Sequence, residues 1–191
     1  KSSLNNGIMN WSVSKLYSKK YLLENDIFFD EDIYSGEDFD FITRIIASNP
    51  SMSYIPKVAY FYLIDENTSK NRILKHPLES LNDEIRIYKR RLEITSILDE
   101  SKDIQENLSE NAIKAIFEVY KVLVKYSISN AKIYNRIFSN EVVKLANNNS
   151  NLSKVTKLKI LLIKNKKYFL INTYSFVRNI YKKTFKKNQL I

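Results

Sequence analysis

The stretch SYIPKVAYFYLI, residues 53–64, decides how the first part of this chain is read. Tyr54, Ile55, Val58, Tyr60, Tyr62 and Ile64 are aromatic or β-branched, the residue types that fit a pleated, half-buried surface, and they predict a strand. Pro56 has no amide hydrogen to donate, so it puts that strand at a sheet edge or breaks it into two. With a strand here, the residues on either side of it read as mixed α and β.

Upstream, WSVSKLYSKKYLLEN (residues 11–25) reads as a short helix with Leu16, Leu22 and Leu23 apolar and lysines between them. DIFFDEDIY (26–34) is too short in apolar residues for a helix of its own and reads as an extended or looped piece. In SGEDFDFITRIIAS (35–48), Phe39, Ile42 and Ile46 fall at helical spacing, and that helix stops at Asn49-Pro50 because a residue before proline is disfavoured in the helical region. DENTSKNR (65–72) reads as a polar loop. From Pro77 onward neither glycine nor proline recurs, and Leu, Ile and Lys repeat at spacings of three and four. That pattern predicts helices near 77–99, 106–128, 131–147, 152–165 and 167–186, with breaks at DESKD (99–103) and ANNNSNLS (146–153). The shift in composition near residues 73–77 divides the chain into an α/β piece over 1–75, a helical extension over 76–150 and a basic amphipathic helical tail over 151–191.

Composition narrows the function classes. A chain of 191 residues can bury a real core, and 44% hydrophobic content with 13% aromatic is too rich for a disordered protein. Cysteine is absent, which excludes disulfides, thiolate metal sites and a thiol nucleophile. No apolar run approaches the roughly 20 residues that a membrane-spanning helix needs. The chain opens on Lys1 without a recognisable signal segment and reads as a fragment or a processed chain. Its net charge of +10 is uneven: residues 1–141 carry 19 basic and 21 acidic groups, and beyond Glu141 there are twelve basic residues and no acid. Such a tail favours an anionic partner.

The acidic pair Glu37 and Asp38, directly after Gly36, one of only two glycines, admits two readings. In the structural one Ser35 caps a helix, Asp38 reaches back in a capping-box-like arrangement, and both acids sit where the helix dipole favours negative charge. In the functional one a carboxylate at a helix start faces a cleft and accepts a proton from an attacking hydroxyl. Residue types alone leave both open.

Read together, NWSVSKLYSKKYLLENDIFFDEDIYSGEDFDFITRIIASNPSMSYIPKVAYFYLIDENTS (10–69) resembles the second half of the catalytic domain of family-two inverting glycosyltransferases of the bacterial cell-surface polysaccharide kind. The resemblance spans residues 8 to about 72 and rests on the order of separate elements: Trp11 before Lys15-Leu16-Tyr17, then LLENDIFF, Gly36-Glu37-Asp38, and YIPKVAYFY leading to Ser69. It implies an α/β fold class, the second half of a GT-A nucleotide-sugar transferase domain, followed by a mainly α-helical extension. It implies Asp38 as the catalytic base and Glu37 as a support of the site or an acceptor contact. Gly36, Trp11 stacked on a sugar ring, and Lys15 at a diphosphate or acceptor would bind substrate, although a core tryptophan and a solvated lysine explain the same residue types. The implied partners are a nucleotide-sugar donor, a glycan or lipid-linked acceptor and the N-terminal half of the same domain. The implied setting is the cytoplasmic face of a bacterial inner membrane, in capsule or lipopolysaccharide assembly.

Departures from the family pattern carry information too. A divalent metal, Mg or Mn, is expected in the complete enzyme, yet the upstream Asp-x-Asp that would hold it is absent, and the acids at Asp30 to Asp32 read as a solvated loop. The chain alone is therefore expected not to turn over. The family's arginine between the tyrosines and the serine is missing, and without a QxxRW signature a single-addition transferase is the better match. His76, the sole histidine, is a weak metal candidate beside its reading as a loop residue before proline.

In the tail, Leu170, Tyr174, Val177 and Tyr181 form an apolar stripe with Phe169, Phe176 and Ile180 beside it and lysines around it. Residues 152–187 thus suit an anionic membrane surface, and equally suit packing on the preceding helices. The rings follow a helical stripe and no nucleic-acid module is recognisable, which argues against nucleic acid. AIKAIFEVYKVLVKY (112–126) fits a bundle core or a homo-oligomer interface. A non-catalytic basic helical module that binds anionic membrane or nucleic acid is the alternative to the transferase.

Overall fold

The computed structural model describes residues 12–33, 36–57, 60–61, 66–97 and 102–174. The chain is organised around α5 (Lys102–Tyr126), which buries one broad face: Leu108, Ile113, Ile116, Phe117, Tyr120 and Leu123 are all at most 2% exposed, while Lys114, Glu118 and Lys125 lie on the opposite side. A wide apolar face of this kind packs against several neighbours at once. Around it pack α3 (Glu66–Lys75), α4 (Pro77–Ile97), α6 (Ile128–Asn147) and α7 (Lys154–Lys164). Residues 168–174 are helical again and seat Ile171 in the same core.

Buried polar groups tie these helices together. Tyr120 Oη donates to the Ala131 carbonyl at 3.2 Å, while Asn135 Nδ2 donates to Tyr120 Oη at 2.7 Å and to the Ile163 carbonyl at 2.9 Å. One amide thereby joins α5, α6 and α7. The α6–α7 turn is held by two glutamates of α5, one helical turn apart. Glu106 accepts from Ser150 Oγ at 2.7 Å and Asn151 Nδ2 at 2.9 Å, and its carbonyl accepts from Asn149 Nδ2 at 2.7 Å. Glu110 accepts from Ser153 N at 3.0 Å, Ser153 Oγ at 2.8 Å and Thr156 Oγ1 at 3.1 Å, and pairs with Lys114 at 2.6 Å. Ser153 in turn caps α7 by accepting from Thr156 N. Although partial burial works against it, this set of donors holds the Glu110 carboxyl down at about 2.

A smaller cluster joins α1 (Lys19–Glu24) and α2 (Glu37–Ala47), with Ile27, Phe41, Ile42 and Ile45 buried and Tyr17, Tyr21 and Leu22 packed against them. Tyr21 Oη fixes the end of α2 by donating to the Ser48 carbonyl at 3.0 Å. α2 then docks on α4: buried Asp40 accepts from Arg90 Nε at 3.1 Å and Arg44 Nε at 2.8 Å, and the Arg91 guanidinium lies 4.3 Å from the Phe39 ring.

The α/β expectation is overturned, because the described residues contain no strand and the chain is mainly α-helical. Residues 51–57 have no regular structure and are exposed throughout, with Tyr54 at 88% and Ile55 at 67%. The reason is cooperative. Strand propensity reports packing against a neighbour, and an isolated strand has no partner for its backbone. No other described segment of this chain forms a strand that could pair with it. Most of DENTSKNR, expected as a loop, begins α3 instead, whose Ile73 and Leu74 reach the core. The helix expected over 11–25 is confined to α1, and Ser18 caps it by accepting from Tyr21 N.

Candidate functional site

The N-terminus of α2 is set by Gly36, whose φ of +87° lies in the left-handed region and whose carbonyl accepts from Asp40 N at 3.0 Å. A side chain here would be strained by that φ, and its Cβ would stand 2.5 Å from Ile87 Cδ1 of α4. The cap position thus belongs to Gly36, and no side chain caps the helix. Ser35 lies outside the described residues.

This geometry separates three acids by role. Asp40, 3% exposed, faces inward to Arg44 and Arg90 and fastens α2 to α4. Glu37 and Asp38 are partly exposed at the first turn, where the helix dipole favours anions. The Asp38 carboxylate accepts from Ser12 Oγ, a residue 26 positions earlier. Tyr17 Oη donates to the Ser12 carbonyl at 2.7 Å, and the Tyr17 ring meets Phe41 of α2 edge-on at 5.3 Å. Residues 12–17 are thereby laid across the start of α2.

Two shifts register the proximity of that segment to the carboxylate. Partial burial lowers the Lys15 ammonium, and the attraction of Asp38 opposes it. Burial, then the nearby Asp38 charge, pushes the Tyr17 hydroxyl up to about 12. The structure therefore brings Lys15, Gly36, Glu37 and Asp38 to one place, with Tyr17 of the same motif element beside them and Ser12 as a member that the motif reading did not single out. The signal of Ser12 was present only as a hydroxyl three residues before Lys15. Trp11 lies outside the described residues.

A small cavity of about 30 Å³ lies between α4 and α5, bordered by Glu84, Tyr88, Arg91 and Asn111. It holds roughly one or two waters. Asp38 does not line it, but Ile87, which abuts Gly36, does. Burial drives the Glu84 carboxyl up and the Arg91 guanidinium down, and each partly offsets the shift of the other.

His76 stands just before α4, with Nδ1 3.9 Å from Glu79 Oε1 in an i,i+3 pair. Among the described residues no group of three His, Asp or Glu side chains gathers to hold a metal ion, so the residues here do not fit the divalent cation that the resemblance implies. Among them, too, no helix is long and apolar enough to cross a membrane. No protein-family model matches this chain, and neither does a curated protein or a solved structure.

Proposed function

We propose that this chain supplies the acceptor side of an inverting glycosyltransferase, with Asp38 as general base, working peripherally at the cytoplasmic face of a bacterial inner membrane. The observation that carries the reading is the meeting of Ser12, Lys15 and Asp38 at the first turn of α2, with the carboxylate neither buried nor spent on its own helix amides. Two motif elements far apart in sequence are brought to one partly exposed anion. The proposal rests on that cluster and on the order of the motif elements, not on a sheet.

The chemistry is a single displacement. Asp38 takes the proton of an acceptor sugar hydroxyl as its oxygen forms a bond to the anomeric carbon of the donor. The bond from that carbon to the nucleoside diphosphate breaks, the leaving group takes the electron pair, and the anomeric centre inverts. Ser12, whose hydroxyl donates to the carboxylate, orients it, and Glu37 stands one residue away to receive a second acceptor hydroxyl. Lys15 supplies a cation for a diphosphate or for the acceptor. No step is routed through a metal ion.

The test uses the protein as its cell makes it, supplied with a panel of nucleotide sugars and lipid-linked acceptors. Release of nucleoside diphosphate that depends on both substrates, with an inverted anomeric centre in the product by proton NMR, is expected. Retention of configuration, or no release with any donor, would overturn the proposal.

A further inference from the structure

Among the described residues, α7 carries an apolar surface that the bundle leaves open. Val155, Leu158 and Leu161, spaced by three, are 51%, 47% and 53% exposed, whereas Thr156, Lys159, Leu162 and Ile163 of the same helix are buried against the bundle. On a helical projection the exposed residues share one outward arc with Lys154, Lys157 and Lys164, all exposed. Just past the turn at Lys166, Phe169 is 79% and Leu170 48% exposed. Of the more C-terminal stripe that periodicity points to, Leu170 is exposed and the Tyr174 ring meets Phe117 of α5 edge-on at 5.9 Å beside the fully buried Ile171, whereas Val177 and Tyr181 lie outside the described residues.

We infer that the outward face of α7 docks on an anionic lipid surface, with Leu158 and Leu161 entering the acyl boundary and Lys154, Lys157 and Lys164 meeting headgroup phosphates. Aliphatic side chains flanked by cations are the pattern of a helix lying in the plane of such an interface. Charge complementarity selects this occupant. α7 carries four lysines and no acid of its own, so an isologous dimer through it would set like charges against each other. A nucleic acid would find lysines for its phosphates but, on α7 itself, no ring among Val155, Leu158 and Leu161 on which to stack a base, the exposed Phe169 lying past the turn at Lys166. Glu110 and Ser153 hold the helix in this orientation from beneath. The inference extends the membrane location proposed above and is separable from the chemistry at Asp38, since docking needs neither donor nor acceptor.

The experiment is flotation of the protein with vesicles of equal parts phosphatidylglycerol and phosphatidylcholine, against vesicles of phosphatidylcholine alone, at low ionic strength. Wild type should float with the anionic vesicles only. Leu158→Ser with Leu161→Ser should lower partitioning at least about tenfold, the scale set by burying two leucines. Lys157→Glu with Lys164→Glu should lower it comparably, while a charge-matched control on exposed Lys89 and Lys132, both to Glu, should stay within about twofold. Asp38→Asn should float like wild type. Because the chain has no cysteine, a polarity-sensitive dye on Val155→Cys gives a second readout, expected to shift to the blue with anionic vesicles while the same dye on Lys132→Cys does not. The inference is overturned if the leucine variant floats like wild type, if the control loses as much as the α7 lysine variant, if neutral vesicles serve equally well, or if the Val155 dye does not shift. Displacement of wild type from vesicles by single-stranded DNA, with DNA binding indifferent to the leucines, would assign the face to nucleic acid instead.

Discussion

Replacing Glu110 with glutamine removes the charge on which the start of α7 is hung. The carboxylate receives the Ser153 amide at 3.0 Å, the Ser153 hydroxyl at 2.8 Å, the Thr156 hydroxyl at 3.1 Å and the Lys114 ammonium at 2.6 Å. Glutamine keeps the shape but leaves one acceptor oxygen where the carboxylate served four donors, and it turns an amide donor toward at least one of them. Lowering the carboxyl from 4.5 to about 2 would correspond to roughly 3 kcal/mol if it were fully shielded. The Lys114 partner is 40% exposed, so solvent screening reduces that to about 2 kcal/mol. The sign follows from the depressed value: this stability is present above the ordinary carboxylate range and is lost as pH falls from 4.5 through about 2. Urea unfolding followed by circular dichroism should therefore show Glu110→Gln about 2 kcal/mol less stable than wild type at neutral pH, with the difference shrinking on acidification. A difference under about 0.5 kcal/mol at neutral pH, or one unchanged by acid, would refute the latch.

Three further substitutions sort the residues at the start of α2. Gly36→Ala should cost about 1–2 kcal/mol in thermal or urea unfolding, because alanine at a φ of +87° is strained and its Cβ would press on Ile87. Asp40→Asn should cost about 2–4 kcal/mol by leaving Arg44 and Arg90 without their shared anion, whereas Asp38→Asn, at a partly exposed position, should change stability by less than about 0.5 kcal/mol. Equal losses from the two aspartates would contradict their separation into structural and functional roles.

The helical bundle was legible where local pattern and tertiary packing agree. From Pro77 the chain has no glycine or proline, and the apolar spacing of α4 through α7 survives in the structure to within a few residues. Residues 53–57 misled because β propensity is a statement about neighbours, and the Tyr54 and Ile55 side chains are exposed. α3 was hidden because a polar helix depends on where Ile73 and Leu74 land, which local composition does not encode. The cluster ANNNSNLS was recognisable as a break. Its pairing with Glu106 and Glu110, more than forty residues upstream, was not, since acids spaced four apart on α5 look like any solvated face. At the candidate site Gly36-Glu37-Asp38 stood out in sequence, whereas Asp40 was overlooked because only the fold brings Arg90 to it. Likewise helices were expected over 152–165 and 167–186 and residues 154–164 and 168–174 are helical, but only packing decides that Ile171 and Tyr174 turn inward while Leu158 and Leu161 remain outside.

The role assigned to Asp38 is tested most directly by single-turnover transfer in the complete protein, with wild type and Asp38→Asn compared at saturating donor and acceptor. A general base contributes roughly 10²–10⁴-fold, so the variant should lose about that much in the chemical step while donor affinity changes by less than about twofold. A transfer rate within about tenfold of wild type, or a loss carried wholly by donor binding, would contradict the assignment.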